Sequence, residues 1–237
     1  MSKKTWLLFG AVCIVLFGGL IFLSTKDRVN VADVNANAIQ PANQQDGNIA
    51  DHVFGNTKSP VQLIEYGDFE CPYCGEAYPQ VKKVTEKYQG QVAFVFRNMP
   101  LTTIHPNALA GAGVAEAAGL QGKYWEMHDL LYTSQNDWTS LSGDQLTNQF
   151  ISYAKQLGLN TTTFQNDLAG SRIQQKISFD RALYNKLGQD PSTPTFLLDG
   201  KEISTSLSQN IIAGDGSQLD AALASALKAK GLALPQS

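Results

Sequence analysis

Cysteine and histidine are both scarce in this chain, and their scarcity excludes several classes of protein. The 237 residues include three cysteines and three histidines, and the histidines are scattered along the chain. Cys13 lies in an apolar N-terminal run, so only Cys71 and Cys74 remain for the folded part, too few for a scaffold held together by disulfides. A structural zinc site needs about four ligands. We therefore expect no metal at the cysteine pair, although a metal-binding module remains an alternative.

Charge of either sign is also modest. The chain has 18 basic and 21 acidic residues, and its net charge of −3 gives no reason to expect a nucleic-acid partner. Hydrophobic residues make up 43% of the sequence, and no internal repeat is present. After its N-terminal segment the chain is long enough for one domain of about 185 residues with its own core.

The N-terminal segment has the pattern of a membrane anchor. Residues 6–23 contain no charged side chain and follow Lys3 and Lys4. As a helix, eighteen residues span about 27 Å, close to the ~30 Å of a bilayer's hydrocarbon core. The alternative is a cleaved signal peptide, but no Ala-x-Ala site follows closely. We expect a cytoplasmic segment at 1–4, a single transmembrane helix at 5–23, and a flexible linker rich in Asn, Ala, Gln and Asp at 24–50.

The most informative motif is Cys71-Pro72-Tyr73-Cys74. It follows an apolar, strand-like run at 61–66 and opens a predicted helix that continues to Tyr88. Two cysteines in a first helical turn can close a small disulfide ring. The unpaired N–H groups and the dipole of the helix favour a negative charge on the first sulfur. This pattern predicts a redox-active pair that alternates between dithiol and disulfide.

The remaining pattern places this motif in an α/β fold. Short strands are predicted at 51–56 and 91–97. The strand at 61–66, the helix from Pro72 and the strand at 91–97 then form a βαβ unit. A long helical section follows at about 105–187, with apolar residues at helical spacing. Strand-like runs resume at 194–200 and 201–204, and a final helix with an apolar face follows from 217.

The sequence resembles the thioredoxin superfamily and, within it, the DsbA-like thiol–disulfide oxidoreductases, over about residues 51–230. The resemblance rests on Cys71-Pro72-Tyr73-Cys74, on Ser192-Thr193-Pro194-Thr195, and on the helical section between the second and third core strands. The segments Phe69 to Cys74 and Ile104 to Ala108 are similar to those of membrane-anchored members. The resemblance implies a thioredoxin fold made of 51–104 and 188–237, with a helical insertion at 105–187.

The resemblance also implies roles for individual residues. Cys71 is expected to be the exposed nucleophile and Cys74 the more buried resolving thiol. Pro72, Tyr73, Thr193 and Pro194 are expected to bind substrate, since a cis-Pro presents no N–H and its neighbour's backbone can pair with an extended chain. The position of Pro194 at the start of a buried strand favours the cis form.

A buried acid, Glu65, is expected to move the proton of the resolving thiol. It lies six residues before Cys71, and a buried carboxylate gains pKa and can act as acid or base near neutrality. The alternative is a surface glutamate. Several further carboxylates lie near the pair, and no Lys or Arg occurs between Lys58 and Lys82. Because carboxylates oppose a thiolate, the pKa of Cys71 is expected to be lowered by the helix, but not to the extreme of the strongest oxidants.

The function expected from this resemblance is the introduction of disulfides into exported proteins. The expected location is the cell membrane, with a single span and the catalytic domain on the extracytoplasmic side. The implied partners are unfolded or reduced exported proteins and a membrane quinone-linked protein that reoxidises the pair. No cofactor is expected, and the chain is expected to be a monomer. A disulfide reductase or isomerase remains an alternative, because the Pro-Tyr dipeptide also occurs in reducing relatives.

Overall fold

The computed structural model of the chain describes residues 29–235, and its folded unit begins at Val31. The predicted anchor at 5–23 and the segment at 1–4 lie outside these residues. Within 29–235 none of the helices has both the length and the apolar character needed to cross a bilayer.

Five strands form one mixed sheet around which the rest of the domain is built. The strands are β1 (His52–Gly55), β2 (Gln62–Gly67), β3 (Ala93–Asn98), β4 (Thr195–Leu198) and β5 (Lys201–Glu202). Their order in the sheet is β1-β3-β2-β4-β5, in which β2 and β3 run parallel and the other neighbours run antiparallel. The predicted strand–helix–strand unit is therefore the centre of the sheet. β2 is buried from Leu63 to Gly67, and Glu65 is the one charged residue within it.

Helices cover both faces of the sheet. They are α1 (Pro72–Lys87), α2 (Ala108–Gly119), α3 (Tyr124–Thr133), α4 (Gln135–Trp138), α5 (Gly143–Gln156), α6 (Thr161–Leu168), α7 (Ser171–Asn185), α8 (Thr205–Ile212) and α9 (Ser217–Ala229). Elements α2 to α7 form the helical insertion that the sequence predicted. One hydrophobic cluster joins α1 to α9 and the sheet, and a second joins the cysteines to the insertion.

Small residues in α2 allow the insertion to lie close to the start of α1. Most of α2 is buried, and its sequence consists mainly of Ala and Gly, whose small side chains let other elements approach the helix closely. A Cβ atom at Gly111 would lie 3.0 Å from the Trp138 ring and 3.2 Å from Phe69 Cβ. Trp138 itself is fully buried and donates its indole N–H to the Leu131 carbonyl at 2.9 Å. The insertion is thus fixed against the segment that leads into the cysteine pair.

Residues 31–50 are not the flexible linker that their composition predicted. Val31, Ala36 and Ile49 are buried, and a 3₁₀ turn at Gln44–Asp46 has a capping box with Asn43. The polar composition of the segment and its lack of apolar periodicity suggested a solvated tether. The segment is held in place instead by hydrogen bonds to its backbone carbonyls, which neither composition nor periodicity reveals.

Three basic side chains from the domain, those of Arg97, Arg172 and Lys186, donate to carbonyls of this N-terminal segment. The buried Arg97 guanidinium donates to the carbonyls of Ala36 and Ala38, and it forms an ion pair with Asp51 at 2.7 Å. Lys176 Nζ lies 2.8 Å from the other oxygen of Asp51, and both cations hold the pKa of that carboxyl far below its usual range against the effect of burial. Lys186 Nζ donates to three further carbonyls of the segment.

Candidate active site

The two cysteines occupy the start of α1, as the motif predicted. Cys71 is the N-cap residue in an extended conformation, and Pro72 is the first helical residue, where no N–H is needed. Both cysteines are free thiols, and Cys74 is fully buried whereas Cys71 retains 4% exposure. The sulfur of Cys71 is therefore the one within reach of another molecule.

The two thiols have opposite electrostatic environments. A hydrogen bond from the Cys74 thiol, together with one from the Thr193 side chain and the backbone N–H groups of Cys74 and Tyr73, lowers the pKa of Cys71 to about 6 against the effect of burial. Burial raises the pKa of Cys74 well above its usual range, and a charge on Cys71 adds to this effect. At neutral pH the dithiol form thus holds one thiolate, at Cys71, and one protonated thiol. This agrees with the expected moderate lowering at Cys71.

The loop before β4 faces the nucleophilic sulfur. The Thr193-Pro194 peptide bond is cis, and the Cys71 thiol donates to the Thr193 carbonyl at 3.5 Å. While Cys71 is a neutral thiol, the buried Thr193 hydroxyl has no hydrogen-bond partner among the described residues. It is thus available to donate to a thiolate at Cys71. The cysteine pair and the Thr-Pro loop, 122 residues apart, are brought together as the sequence predicted.

Glu65 is buried in the middle of the sheet beneath the cysteines. It lies on β2 between Phe96 of β3 and Phe196 of β4, and its side chain is almost fully inaccessible. Burial, and to a lesser extent a charge on Cys71, raises the pKa of Glu65 to about 8. A charge on Glu65 in turn contributes to the raised pKa of Cys74. Glu65 is therefore buried and is not a surface glutamate, whereas its role in moving the proton of Cys74 stays a prediction.

Carboxylates that the sequence placed beside the cysteines are engaged with a loop of the insertion. Asp68 accepts hydrogen bonds from the Leu101 N–H at 2.9 Å and from His105 Nδ1 at 2.7 Å. Glu70 accepts a hydrogen bond from the Asn107 N–H at 2.6 Å. These bonds hold loop 101–107 against the residues that lead into Cys71.

Several apolar side chains at this end of the molecule are open to solvent. Tyr73, in the motif itself, is 60% exposed, and Ile104, in loop 101–107, is 67% exposed. Pro72 is also exposed, whereas Pro194 is buried at the start of β4. Of the four predicted substrate-binding residues, Pro72 and Tyr73 thus offer side chains to a partner. Thr193 is half-buried and offers its backbone at the edge of the loop.

The structure adds a positioning residue that the sequence did not indicate. Gln135 of α4 donates its side-chain amide to the carbonyls of Phe69 and Cys71 at 2.8 and 2.9 Å. Its oxygen would lie 2.5 Å from a Cβ atom at Gly75, so the glycine after the motif makes room for this contact. A lone glutamine in a four-residue helix carries no sequence signal, since the contact spans more than sixty residues.

Among residues 29–235, no group of three or more His, Cys, Asp and Glu side chains is arranged to hold a metal ion. The arrangement suits thiol–disulfide exchange instead. Cys71 supplies a thiolate near neutral pH, and Cys74 supplies a protonated partner that can close a disulfide. Glu65, with a pKa of about 8, can donate or accept a proton near neutral pH.

Comparison with known proteins gives a consistent family assignment. A family model described as thioredoxin matches residues 47–213 of the chain. A curated relative, a Na(+)/H(+) antiporter NhaA 1 of Salinispora arenicola, is 40% identical over 151 residues, which are 64% of this chain and 22% of that protein. The match thus spans about a fifth of the length of such curated relatives.

Solved structures of other proteins have the same fold as this chain. A thioredoxin-like oxidoreductase from Silicibacter pomeroyi is 27% identical, with a TM-score of 0.54 over 69% of this chain and 91% of that one. BdbD from Bacillus subtilis is 20% identical, with a TM-score of 0.62 over 81% of this chain and 98% of that one. With the cysteine pair, the cis-proline loop and the helical insertion in place, the chain belongs to the thioredoxin superfamily.

Proposed function

We propose that this thioredoxin-superfamily protein is a DsbA-like thiol–disulfide oxidoreductase and works as an oxidase, introducing disulfides into exported proteins through the Cys71–Cys74 pair. The observation that carries the proposal is the lowered pKa of Cys71, about 6. A thiolate that is stable at neutral pH stabilises the dithiol form of the enzyme. A stabilised dithiol form makes the disulfide form a stronger oxidant.

The cycle begins with the Cys71–Cys74 disulfide. A substrate thiolate attacks the Cys71 sulfur, a mixed disulfide forms, and Cys74 leaves as a thiolate that takes a proton from Glu65. A second substrate thiolate then attacks the substrate sulfur of the mixed disulfide. The substrate disulfide closes, and Cys71 leaves as the stabilised thiolate. Two electrons pass from the substrate to the enzyme, so a second oxidant must restore the disulfide.

Substrate binding is assigned to the surface around Cys71. An extended chain would pair with the backbone at Thr193, beside the cis Pro194. The exposed ring of Tyr73 offers apolar contact to a chain that has not yet buried its own side chains. Such a surface suits unfolded or reduced proteins better than folded ones.

The cellular arrangement follows from the sequence. The uncharged run at 6–23 supports a single-pass anchor in the cell membrane, and disulfide formation belongs on the extracytoplasmic side. A membrane quinone-linked protein would then reoxidise the pair, and a single chain would be sufficient for the cycle. The antiporter name of the curated relatives describes proteins several times longer, and ion transport is not part of this proposal.

The test is the equilibrium reduction potential of the pair in glutathione buffers, measured on the full-length chain. A value near about −120 mV would support an oxidase, whereas a value near about −270 mV would identify a reductase and contradict the proposal. A second measurement follows oxidation of a reduced, unfolded protein. Neither the Cys74→Ala nor the Cys71→Ala variant should oxidise it, because each lacks the disulfide. With a disulfide-containing protein instead, the Cys71 thiolate of Cys74→Ala should attack and accumulate a mixed disulfide, and Cys71→Ala should form none.

A further inference from the structure

Glu65 lines a small cavity that neither Cys71 nor Cys74 lines. Its lining includes the buried Glu65 and His128, the rings of Tyr78 and Tyr132, and the partly exposed Asp129 and Lys82. The cavity measures about 30 Å³, and about 10–15 Å³ suffices for one water molecule. Glu65 therefore shares a space that can hold water with side chains that reach solvent.

His128 is the titratable group in this cavity whose bonding is incomplete. It lies on α3, is 4% exposed, and packs edge-on against Phe96, the β3 neighbour of Glu65, with ring centroids 4.8 Å apart. Its Nε2 atom is buried and has no hydrogen-bond partner within residues 29–235. A buried polar atom without a partner is costly, so a water in the adjoining cavity is the natural partner for it.

The other nitrogen of His128 is tied to the surface. Nδ1 lies 3.1 Å from Asp129 Oδ1, and the side chain of Asp129 is 31% exposed. The neighbouring His128 and Lys82 hold the pKa of Asp129 below its usual range despite partial burial. Asp129 is therefore a carboxylate that only accepts hydrogen bonds, so Nδ1 carries the proton. Burial lowers the pKa of His128, which keeps the ring neutral and leaves a lone pair on Nε2.

We propose that His128 and Asp129 form a proton relay that connects Glu65 to solvent on the side opposite the substrate. The inference rests on the proposed function, because it concerns the proton that Cys74 takes up when the disulfide is attacked. In the dithiol form Nδ1 holds the ring proton, so the relay first runs outward. At reoxidation Glu65 takes the Cys74 proton and passes one to the cavity water, the water gives one to Nε2, and Nδ1 gives its proton to Asp129 and solvent. The ring is then protonated at Nε2. When the disulfide is next attacked and Glu65 gives its proton to Cys74, Nε2 returns a proton to Glu65 through the water, and Asp129 returns a solvent proton to Nδ1.

The charged and titratable groups around His128 leave this path open. They come from α3 itself, from α1 and from the sheet: Tyr124, Asp129, Tyr132, Tyr78, Lys82, Glu65 and His52. Burial raises the pKa of the three tyrosines, so they stay protonated near neutral pH. Lys82 pairs with Asp129 at 2.6 Å but is not a step of the relay. Glu86 also lines the cavity, and it pairs with Lys82 at 2.9 Å. Within the cavity lining, His128 thus links the space beside Glu65 to the partly exposed Asp129.

The experiment compares the rate and the equilibrium of the same exchange. The disulfide form of the full-length chain is mixed rapidly with a dithiol peptide, and the rate of peptide oxidation is followed from about pH 5 to about pH 9. We expect His128→Gln and Asp129→Asn each to slow the reaction at least tenfold near pH 7, since proton transfer by a positioned group contributes about 10²–10⁴-fold. The reduction potential should stay unchanged, because a relay alters the path of the proton and not its end points.

Matched variants separate a relay from a structural role. Lys82→Gln removes the ion pair to Asp129 but leaves the carboxylate, and it should react at the wild-type rate. Asp129→Glu keeps a carboxylate and should restore much of the rate lost in Asp129→Asn. Wild-type rates in both His128→Gln and Asp129→Asn would overturn the relay, and so would a rate loss matched by a shifted reduction potential. If the wild-type chain fails to oxidise the peptide, the proposed function itself is wrong.

Discussion

The hydroxyl of Tyr184 accepts a hydrogen bond from the backbone N–H of Ser192 at 3.0 Å. The same hydroxyl donates to the Asp190 carbonyl at 3.0 Å. Ser192 directly precedes Thr193, whose carbonyl faces Cys71. Helix α7 of the insertion therefore holds the loop that completes the active site, although Tyr184 contacts neither cysteine.

Tyr184→Phe should loosen this loop. We expect the KM for an unfolded substrate to rise several-fold and kcat to change little, because the cysteines keep their own environment. The free energy of unfolding should fall by about 1–2 kcal/mol with the lost hydrogen bonds. Steady-state kinetics and urea unfolding measure the two effects.

A second tyrosine offers the control for this variant. The hydroxyl of Tyr153 is also buried, but it has no hydrogen-bond partner among the described residues. Tyr153→Phe should leave the kinetics unchanged and should keep or raise the free energy of unfolding, since it removes an unsatisfied polar group. Equal behaviour of the two variants would show that Tyr184 does not position the loop.

The Thr193 hydroxyl is expected to tune the Cys71 thiolate. Its hydrogen bond to the sulfur is one of the contacts that lower the pKa of Cys71 to about 6. Thr193→Val should raise this pKa by about one unit, because a hydrogen bond to a charged group contributes about 1.5–3 kcal/mol. The dithiol form then loses stability, and the reduction potential should become more negative by about 30 mV.

Titration of the thiolate by its ultraviolet absorbance tests this expectation. Thr193→Ser keeps a hydroxyl at the same position and should titrate like the wild-type chain. A Thr193→Val variant with an unchanged pKa would show that the backbone N–H groups of α1 stabilise the thiolate without help from this loop.

Glu65 should make the stability of the dithiol form depend on pH. Its pKa rises from 4.5 to about 8 on folding, so the folded state binds a proton that the unfolded state has lost. The free energy of unfolding therefore decreases as pH rises between these two values and levels off above them. Because one pKa unit corresponds to about 1.4 kcal/mol, the decrease by pH 7 is on the order of 3 kcal/mol.

Glu65→Gln removes this dependence, since an amide does not titrate. Urea unfolding of the dithiol form near pH 5 and near pH 8 should show the variant gaining stability relative to the wild-type chain as pH rises. The same variant should slow peptide oxidation, because Cys74 loses its proton donor. A stability difference that stays constant over this range would mean that Glu65 titrates with an ordinary pKa.

Much of the architecture could be predicted from local patterns. The apolar run at 61–66 became β2, one residue further along, and the helix predicted from Pro72 ends at Lys87. Hydrophobic periodicity and the Pro at the first helical position carry these predictions within a few residues of sequence. The cysteine pair and the Thr193-Pro194 loop could be paired only through the family resemblance, because nothing local links positions so far apart.

The supporting contacts could not be predicted, for a common physical reason. Gln135 and Tyr184 act through a few side-chain hydrogen bonds to backbone groups of other elements, and His128 acts through a cavity formed by several elements. Such contacts leave no periodicity and no change in composition. The same holds for the segment at 31–50. It is held through its backbone carbonyls, and every residue has a carbonyl, so these contacts leave no mark on the sequence.

Residues 31–50 belong to the folded domain, and two deletions of different length can test this. Deletion of residues 1–30 should leave stability and activity unchanged, because the folded unit starts at Val31. Deletion of residues 1–50 removes the carbonyls that Arg97 and Lys186 bind.

Arg97 is fully buried, so the longer deletion leaves part of a buried charge without partners. Breaking a buried charged interaction typically costs about 3–5 kcal/mol, and the free energy of unfolding should fall by a similar amount. Urea unfolding of the two truncated chains decides between an integral segment and a tether. Equal stabilities would mean that residues 31–50 only cover the domain, and a domain cut at Asp51 would then be sufficient for the redox measurements.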